Sequence, residues 1–168
     1  MVKKFFFLGC LSIIVFAACK KNDTGCNLTD SNVVAPVSEQ KALHDSLTAL
    51  GINATLAPSG FYYIIHQPGD GASVPAPCST VAVYYRGGFL NGQVFDSTSA
   101  GNPAVFQLGR LVPGWIKGLP LIKKNGEITL YLPPALGYGY KDVKDNSGQV
   151  VIPANSNLVF KITLLDLQ

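Results

Sequence analysis

From Phe61 onward the hydrophobic period of the chain is two, and the alternating runs are broken by turns rich in glycine and proline. This pattern restricts most of the molecule to a sheet-based fold. "FYYIIH" runs into the turn "QPGDGA", and "TVAVYYR" places Val81, Val83 and Tyr85 on one face. "QVFD" is a short strand entering a Ser/Thr turn, and "AVFQL" puts Ala104, Phe106 and Leu108 together. "EITLYL" alternates Ile128, Leu130 and Leu132. The closing run "NLVFKITLLDL" is long enough for a full strand, with Leu158, Phe160, Ile162 and Leu164 on one side. Only "PGWIKGL" among them reads as helix, and it holds no more than two turns. With 17 glycines and 11 prolines in 168 residues, short connections are plentiful. The expected class is α+β: an antiparallel sheet of five to six strands curled around one short α-helix.

Ahead of the sheet, "PVSEQKALHDSLTALGI" begins at Ser38 and stops at Gly51, with Ala42, Leu43, Leu47 and Leu50 near helical spacing. These signals predict one amphipathic helix over residues 38–50, with His44 on its solvated face. Residues 20–35 are polar and without period and read as a tether. The first residues, "MVKKFFFLGCLSIIVFAAC", combine two lysines, an apolar run too short to span a bilayer, and small residues before Cys19. "FAAC" resembles a bacterial lipobox, in which the cysteine becomes the first mature residue and carries acyl chains. The alternative is an ordinary signal peptide cut near Ala18, with Cys19 incidental. The expected layout is a lipoprotein signal over 1–18, a membrane tether over 19–35, a helical appendage over 36–59 and the main domain over 60–168. Lys20 and Lys21 follow Cys19 with no acidic residue at that point, which favours the outer over the inner membrane of a bacterial envelope.

Charge excludes one class of partner. Without Lys3 and Lys4 the formal balance falls from +3 to +1, and no basic patch remains for nucleic acid. No Ser-His-Asp order, G-x-S-x-G elbow or phosphate cradle is present. His44 and His66 have no partners at metal spacing, so neither a metal site nor a cofactor is expected. Aromatic residues next to turns accumulate instead: Tyr85, Phe95, Phe106, Trp115, Tyr138 and Phe160. Taken singly, each reads as core packing.

Their order carries more. "VAVYYRGGFLNGQVFDSTSAGNPAVFQLG", "LVPGWIKGLPLIKKNGEITLYLPPALGYG" and "VIPANSNLVFKITLLDL" follow one another in a fixed sequence of motifs. Together they closely resemble the FKBP-type peptidyl-prolyl cis-trans isomerases over residues 60–168. The resemblance implies a shallow hydrophobic pocket floored by Trp115 at the start of the short helix. Carried over residue by residue, it implies catalytic roles for Tyr85, Asp96, Val112 and Tyr138. Substrate-binding roles fall to Phe95, Phe106, Leu111, Trp115, Ile152 and Phe160. The Val112 N–H is expected to hold a substrate carbonyl, and the Tyr138 hydroxyl to reach the ligand. Asp96, in "FDS", reads either as an Asx-type turn cap or as a pocket acid bracing a tyrosine, and the two roles are compatible.

Two departures from the small eukaryotic members matter: Ala104 stands where they often have a wall phenylalanine, and Pro113 where they often have a charged or polar residue; the loop "GRLVPGW" is also two residues shorter. A more open pocket with weaker macrolide binding is expected. The polar segment "YKDVKDNSGQVV" reads as a mobile loop overhanging the site. The resemblance implies an isomerase acting on proline-containing segments; the leader and the lipobox-like "FAAC" add exported polypeptides as its substrates and a lipid anchor to the membrane, and a monomer is expected. An FKBP-like peptide-binding chaperone with little turnover is the rival reading. Finally, Cys26 and Cys78 form an even pair outside the reducing cytoplasm. They are expected to be joined, clipping the tether onto the domain, with two free thiols as the alternative.

Overall fold

A computed structural model describes residues 25–168. The signal segment and Cys19 lie outside the described residues. Helix α1 spans Val37–Ala49. The strands that follow are β1 (Thr55–Leu56), β2 (Tyr62–Gln67), β3 (Thr80–Phe89), β4 (Val94–Ser97) and β5 (Ala104–Gln107). Helix α2 covers Pro113–Gly118, and then come β6 (Glu127–Leu132), β7 (Val143–Lys144), β8 (Val150–Ile152) and β9 (Leu158–Leu167). The main sheet is antiparallel in the order β1-β2-β6-β9-β3-β4, with β5 also paired to β3. The first half of β3 pairs with β5 and its second half with β4, so one ten-residue strand serves two neighbours. The six expected strands are all present, and the two-residue β1 extends the sheet by one.

The inner face carries Val81 and Val83, Ile128, Leu130 and Leu132, and Leu158, Phe160, Ile162 and Leu164, packed with Trp115 and Leu119 into one cluster. β6 departs from simple alternation, because its outward Thr129 and Tyr131 are buried as well. The reason is α1. Its Leu43 and Leu47 are buried against Tyr62 of β2 and Tyr131 of β6, forming a second small core on the outer side. Burying a leucine is worth about 2 kcal/mol, so this pair anchors a helix that would be marginal alone.

The helix itself differs in detail from its sequence reading. It starts after Pro36, whose φ of −55° suits a helix entrance, rather than at Ser38, and no side chain caps it. Ala42 and Leu50 are exposed, because the buried stripe is the narrower one of Leu43 and Leu47. Gly51 ends the helix at φ +67°, with the Ile52 N–H donating to the Leu47 carbonyl and the Gly51 N–H to that of Thr48. This is a Schellman termination, which needs a left-handed residue at that point.

The stretch read as a tether is partly attached. Cys26 and Cys78 are bonded, with their Cα atoms 5.9 Å apart. Leu28 sits over Gly109, Ala35 is buried, and the Ala35 N–H donates to the Ser59 carbonyl. The segment read as a mobile loop is instead a hairpin of β7 and β8. Its turn is organised by Asp145, whose Oδ1 accepts from the Ser147 N–H, the Ser147 hydroxyl and the Gln149 N–H.

Candidate active site

The floor of the site is set by how closely α2 approaches the sheet. A Cβ added at Gly114 would lie 2.4 Å from Leu132 Cδ2, and one at Gly118 would lie 2.6 Å from Leu130 Cδ2. Only glycine at both positions lets α2 lie flat on β6. Pro113 occupies the first helical position, where its missing N–H costs nothing. Val112 precedes it in extended conformation, and its N–H has no protein acceptor among the described residues. This entry aims the Trp115 indole into the concave side of the sheet, where it is 4% exposed. Three aromatic rings meet it edge-on: Tyr85 at 5.4 Å between centroids, Phe160 at 5.4 Å and Phe106 at 6.2 Å.

The rim carries the polar groups. Tyr85 is fixed through its backbone. Its N–H donates to Thr98 Oγ1 (3.0 Å), and its carbonyl accepts the Thr98 N–H (3.0 Å). Its hydroxyl donates to Asp96 Oδ2. Asp96 and Phe95 are neighbours, and in a regular strand they would point to opposite faces. The register between β3 and β4 shifts at Gly87/Gly88, leaving Phe95 as an extra residue. This bulge lets both side chains turn toward the site. Burial, followed by the Asp96 carboxylate, pushes the Tyr85 hydroxyl well above the ordinary tyrosine range. Burial first and Asp96 second also raise Tyr138. Both phenols therefore stay protonated and able to donate.

Tyr138 stands on the loop after the 3₁₀ turn Pro134–Leu136 and is 44% exposed. The loop is held by the Gly139 N–H donating to Pro134 and the Asn155 N–H donating to Gly139. Tyr85, Asp96, Phe106, Leu111, Val112, Trp115, Tyr138 and Phe160 enclose a cavity of about 170 Å³. A larger space of about 450 Å³ opens on another side of α2, between the N-terminal segment and residues such as Phe61, Ile116 and Pro120. It lacks the convergence of hydroxyls over an aromatic floor, so the smaller cup is the better site. Among the described residues, no group of three His, Cys, Asp or Glu side chains is placed to hold a metal.

Residues 71–165 match the family described as FKBP-type peptidyl-prolyl cis-trans isomerase. The chain belongs to that family. It is 40% identical over 111 residues to the FKBP-type peptidyl-prolyl cis-trans isomerase FkpA of Buchnera aphidicola, a match covering 66% of this chain and 42% of the relative. A probable FKBP-type isomerase of Haemophilus influenzae is 38% identical over 120 residues, covering 71% of this chain and 47% of that protein. The chain thus spans less than half the length of these curated relatives. Its fold is similar to the crystal structure of FkpA from Escherichia coli, with a TM-score of 0.65 and 33% identity, covering 78% of this chain and 60% of that one.

Within this FKBP-type domain, eight of the ten pocket residues read from the sequence line the cup. Phe95 stands behind it, its ring edge-on to Tyr138 and Phe160. Ile152, on β8, is buried in the same core cluster as Trp115 and Phe160 and is not among the side chains that bound the cup. Ala104 is half-buried on β5 opposite Val83. Sequence reading missed Thr98, which fixes Tyr85, and Phe89, which packs edge-on against Phe95. The Ser/Thr turn after "FD" was the available signal for Thr98. Phe89 had none, since it follows two glycines outside the regular alternation.

Proposed function

We propose that this chain is a peptidyl-prolyl cis-trans isomerase, acting on proline-containing segments of exported polypeptides in a bacterial cell envelope. The observation that carries this reading is the aromatic cup floored by Trp115, with protonated tyrosine hydroxyls and the free Val112 N–H at its rim. An X-Pro amide resists rotation because resonance gives its C–N bond double-bond character, with a barrier near 18–20 kcal/mol. No proton transfer is needed to cross it. Charge separation in the amide falls as the bond twists, so an apolar surround disfavours the planar form relative to the twisted one. Trp115 takes the prolyl ring, with Phe106 and Phe160 as walls. The Val112 N–H and the Tyr138 hydroxyl hold carbonyls on either side of the bond. Asp96 fixes Tyr85 at the rim. Catalysis then consists of binding the twisted amide better than either planar isomer.

Cys19 is read as the lipid-bearing first residue of the mature protein, and residues 20–24 as its link to the membrane. The bonded Cys26 and Cys78 fit an oxidising compartment outside the cytoplasm. Incorporation of labelled palmitate, abolished by Cys19→Ala, is the expected result; labelling that survives the substitution contradicts the anchor. The isomerase reading is tested with short Xaa-Pro peptides in a protease-free assay. Acceleration proportional to enzyme concentration is expected. Peptide binding without acceleration would favour the chaperone reading.

A further inference from the structure

Helix α1 lies outside residues 71–165, the part of the chain that matches the family. Yet it reaches the candidate active site. Glu39 sits one turn ahead of Leu43 and two ahead of Leu47, at i, i+4 and i+8, so its side chain leaves the helix on the face that packs on the sheet. Its two carboxylate oxygens are both used. Oε2 accepts the Ala135 N–H at 2.9 Å, and Oε1 accepts the Tyr140 hydroxyl at 2.7 Å. These two partners flank Tyr138, three residues before it and two after. The helix end of this contact is firm, because Leu43 and Leu47 are buried and Ala35, beside the helix start, is bonded to Ser59. The loop end is the less supported partner, since Tyr138 and Tyr140 are both exposed.

We propose that Glu39 is a positioning residue for the isomerase site: it clamps the loop over 135–140 so that the Tyr138 hydroxyl stands ready at the rim of the cup. The appendage is then part of the working site, and α1 tunes peptide affinity through one carboxylate. This role rests on the isomerase reading for its effect on turnover but not for its effect on the loop. Removing the clamp lowers the fraction of molecules with Tyr138 in place, and apparent affinity falls by that fraction. Substrate binding re-forms the loop, so the loss is concentrated in KM and kcat changes little.

The test uses the full chain and three readouts: amide hydrogen exchange over 135–140, peptide Kd from Trp115 fluorescence, and KM and kcat for an Xaa-Pro peptide. The variants are Glu39→Ala, Glu39→Gln, Tyr140→Phe and the double Glu39→Ala/Tyr140→Phe. Asp45→Ala, which breaks the outward Lys41–Asp45 pair on the same helix, is the control. Loss of both hydrogen bonds in Glu39→Ala is expected to speed exchange and raise Kd and KM by about fivefold. Tyr140→Phe should give about twofold, and the double variant should be no worse than Glu39→Ala alone. Glu39→Gln keeps an acceptor for the Ala135 N–H and should recover most of the loss. Unchanged exchange over 135–140 in Glu39→Ala overturns the clamp, whatever the enzyme does. An equal effect in Asp45→Ala also overturns it, since that would be loss of the helix. Faster exchange with no isomerisation in the wild type leaves the clamp standing and rejects the isomerase reading.

Discussion

Replacing Gly114 by alanine adds a single methyl group beneath the floor of the cup. That methyl would lie 2.4 and 2.5 Å from the two Cδ atoms of Leu132 and 2.9 Å from its Cγ. Because Cγ is itself too close, rotating the leucine tip cannot relieve the clash. Leu132 is fully buried, so it has no space to retreat into. Restoring ordinary contact at 3.4 Å requires α2 and β6 to part by about 1 Å. Overpacking of this kind costs about 1–3 kcal/mol. Alanine returns at most about 1 kcal/mol in helix propensity, and less than that in the first turn. The overpacking wins, and Gly114→Ala should be destabilised by about 1–2 kcal/mol. The effect on activity should be larger, since Trp115 is the next residue and moves with the helix. A displacement of about 1 Å at a site of this kind lowers turnover by up to about a hundredfold. Urea unfolding and a protease-free isomerisation assay measure the two effects. In a Leu132→Ala background the added methyl has room, so its extra cost should largely vanish. A Gly114→Ala protein as stable and as active as the wild type would refute the argument that α2 must lie flat to present Trp115.

Trp115→Ala leaves a cavity and loses three edge-on aromatic contacts, and should cost about 3–5 kcal/mol of stability and most of the activity; Tyr138→Phe should weaken catalysis only modestly while leaving the urea midpoint unchanged. The isomerisation rate should be flat between about pH 6 and pH 9, because no group in the cup must change its proton in that range. The folded state holds the Tyr85 and Tyr138 protons more tightly than the unfolded chain does. That contribution to stability is therefore intact below the ordinary tyrosine value of about 10 and is lost as pH rises beyond it. A bell-shaped pH–rate profile centred near neutrality contradicts the flat rate, and a urea midpoint that does not fall above about pH 10 contradicts the tyrosine contribution. Reduction, or Cys26→Ser, opens a loop with a sequence separation of 52. In the chain-entropy model it should lower stability by up to about 4 kcal/mol, read as a shift of the urea midpoint, and a midpoint indifferent to reductant would argue against the bridge.

The alternation that made the strands legible comes from a sheet with one face on a core, and it worked wherever that condition held. It under-read β6, whose outward Tyr131 is covered by α1, because nothing in "EITLYL" records that a distant helix lies on top. Leu50 passed as a core residue on spacing alone, yet it caps the helix in solvent at 53% exposure. The β7–β8 hairpin escaped because its strands are only two and three residues long, too short to show a period, and a single apolar pair, Val143 with Ile152, joins them. The cup itself was readable as an ordered series of motifs. Ile152 was carried into it by motif position; it shares the core cluster of Trp115 and Phe160 but does not line the cup. Glu39 shared its register with Leu43 and Leu47, but its partners lie 96 and 101 residues away, a pairing that only the tertiary structure reveals.

The cup around Trp115 is proposed to lower the barrier to X-Pro rotation instead of merely holding proline. Exchange between the cis and trans signals of an Xaa-Pro peptide, followed by NMR with a small molar fraction of the protein, tests it without a coupling enzyme. Uncatalysed exchange takes tens of seconds or longer. Exchange within a second or less is expected in the presence of the wild type, and near-baseline exchange with Trp115→Ala under conditions where both are folded. Peptide that binds and quenches Trp115 while its cis and trans signals exchange no faster than in buffer would contradict it.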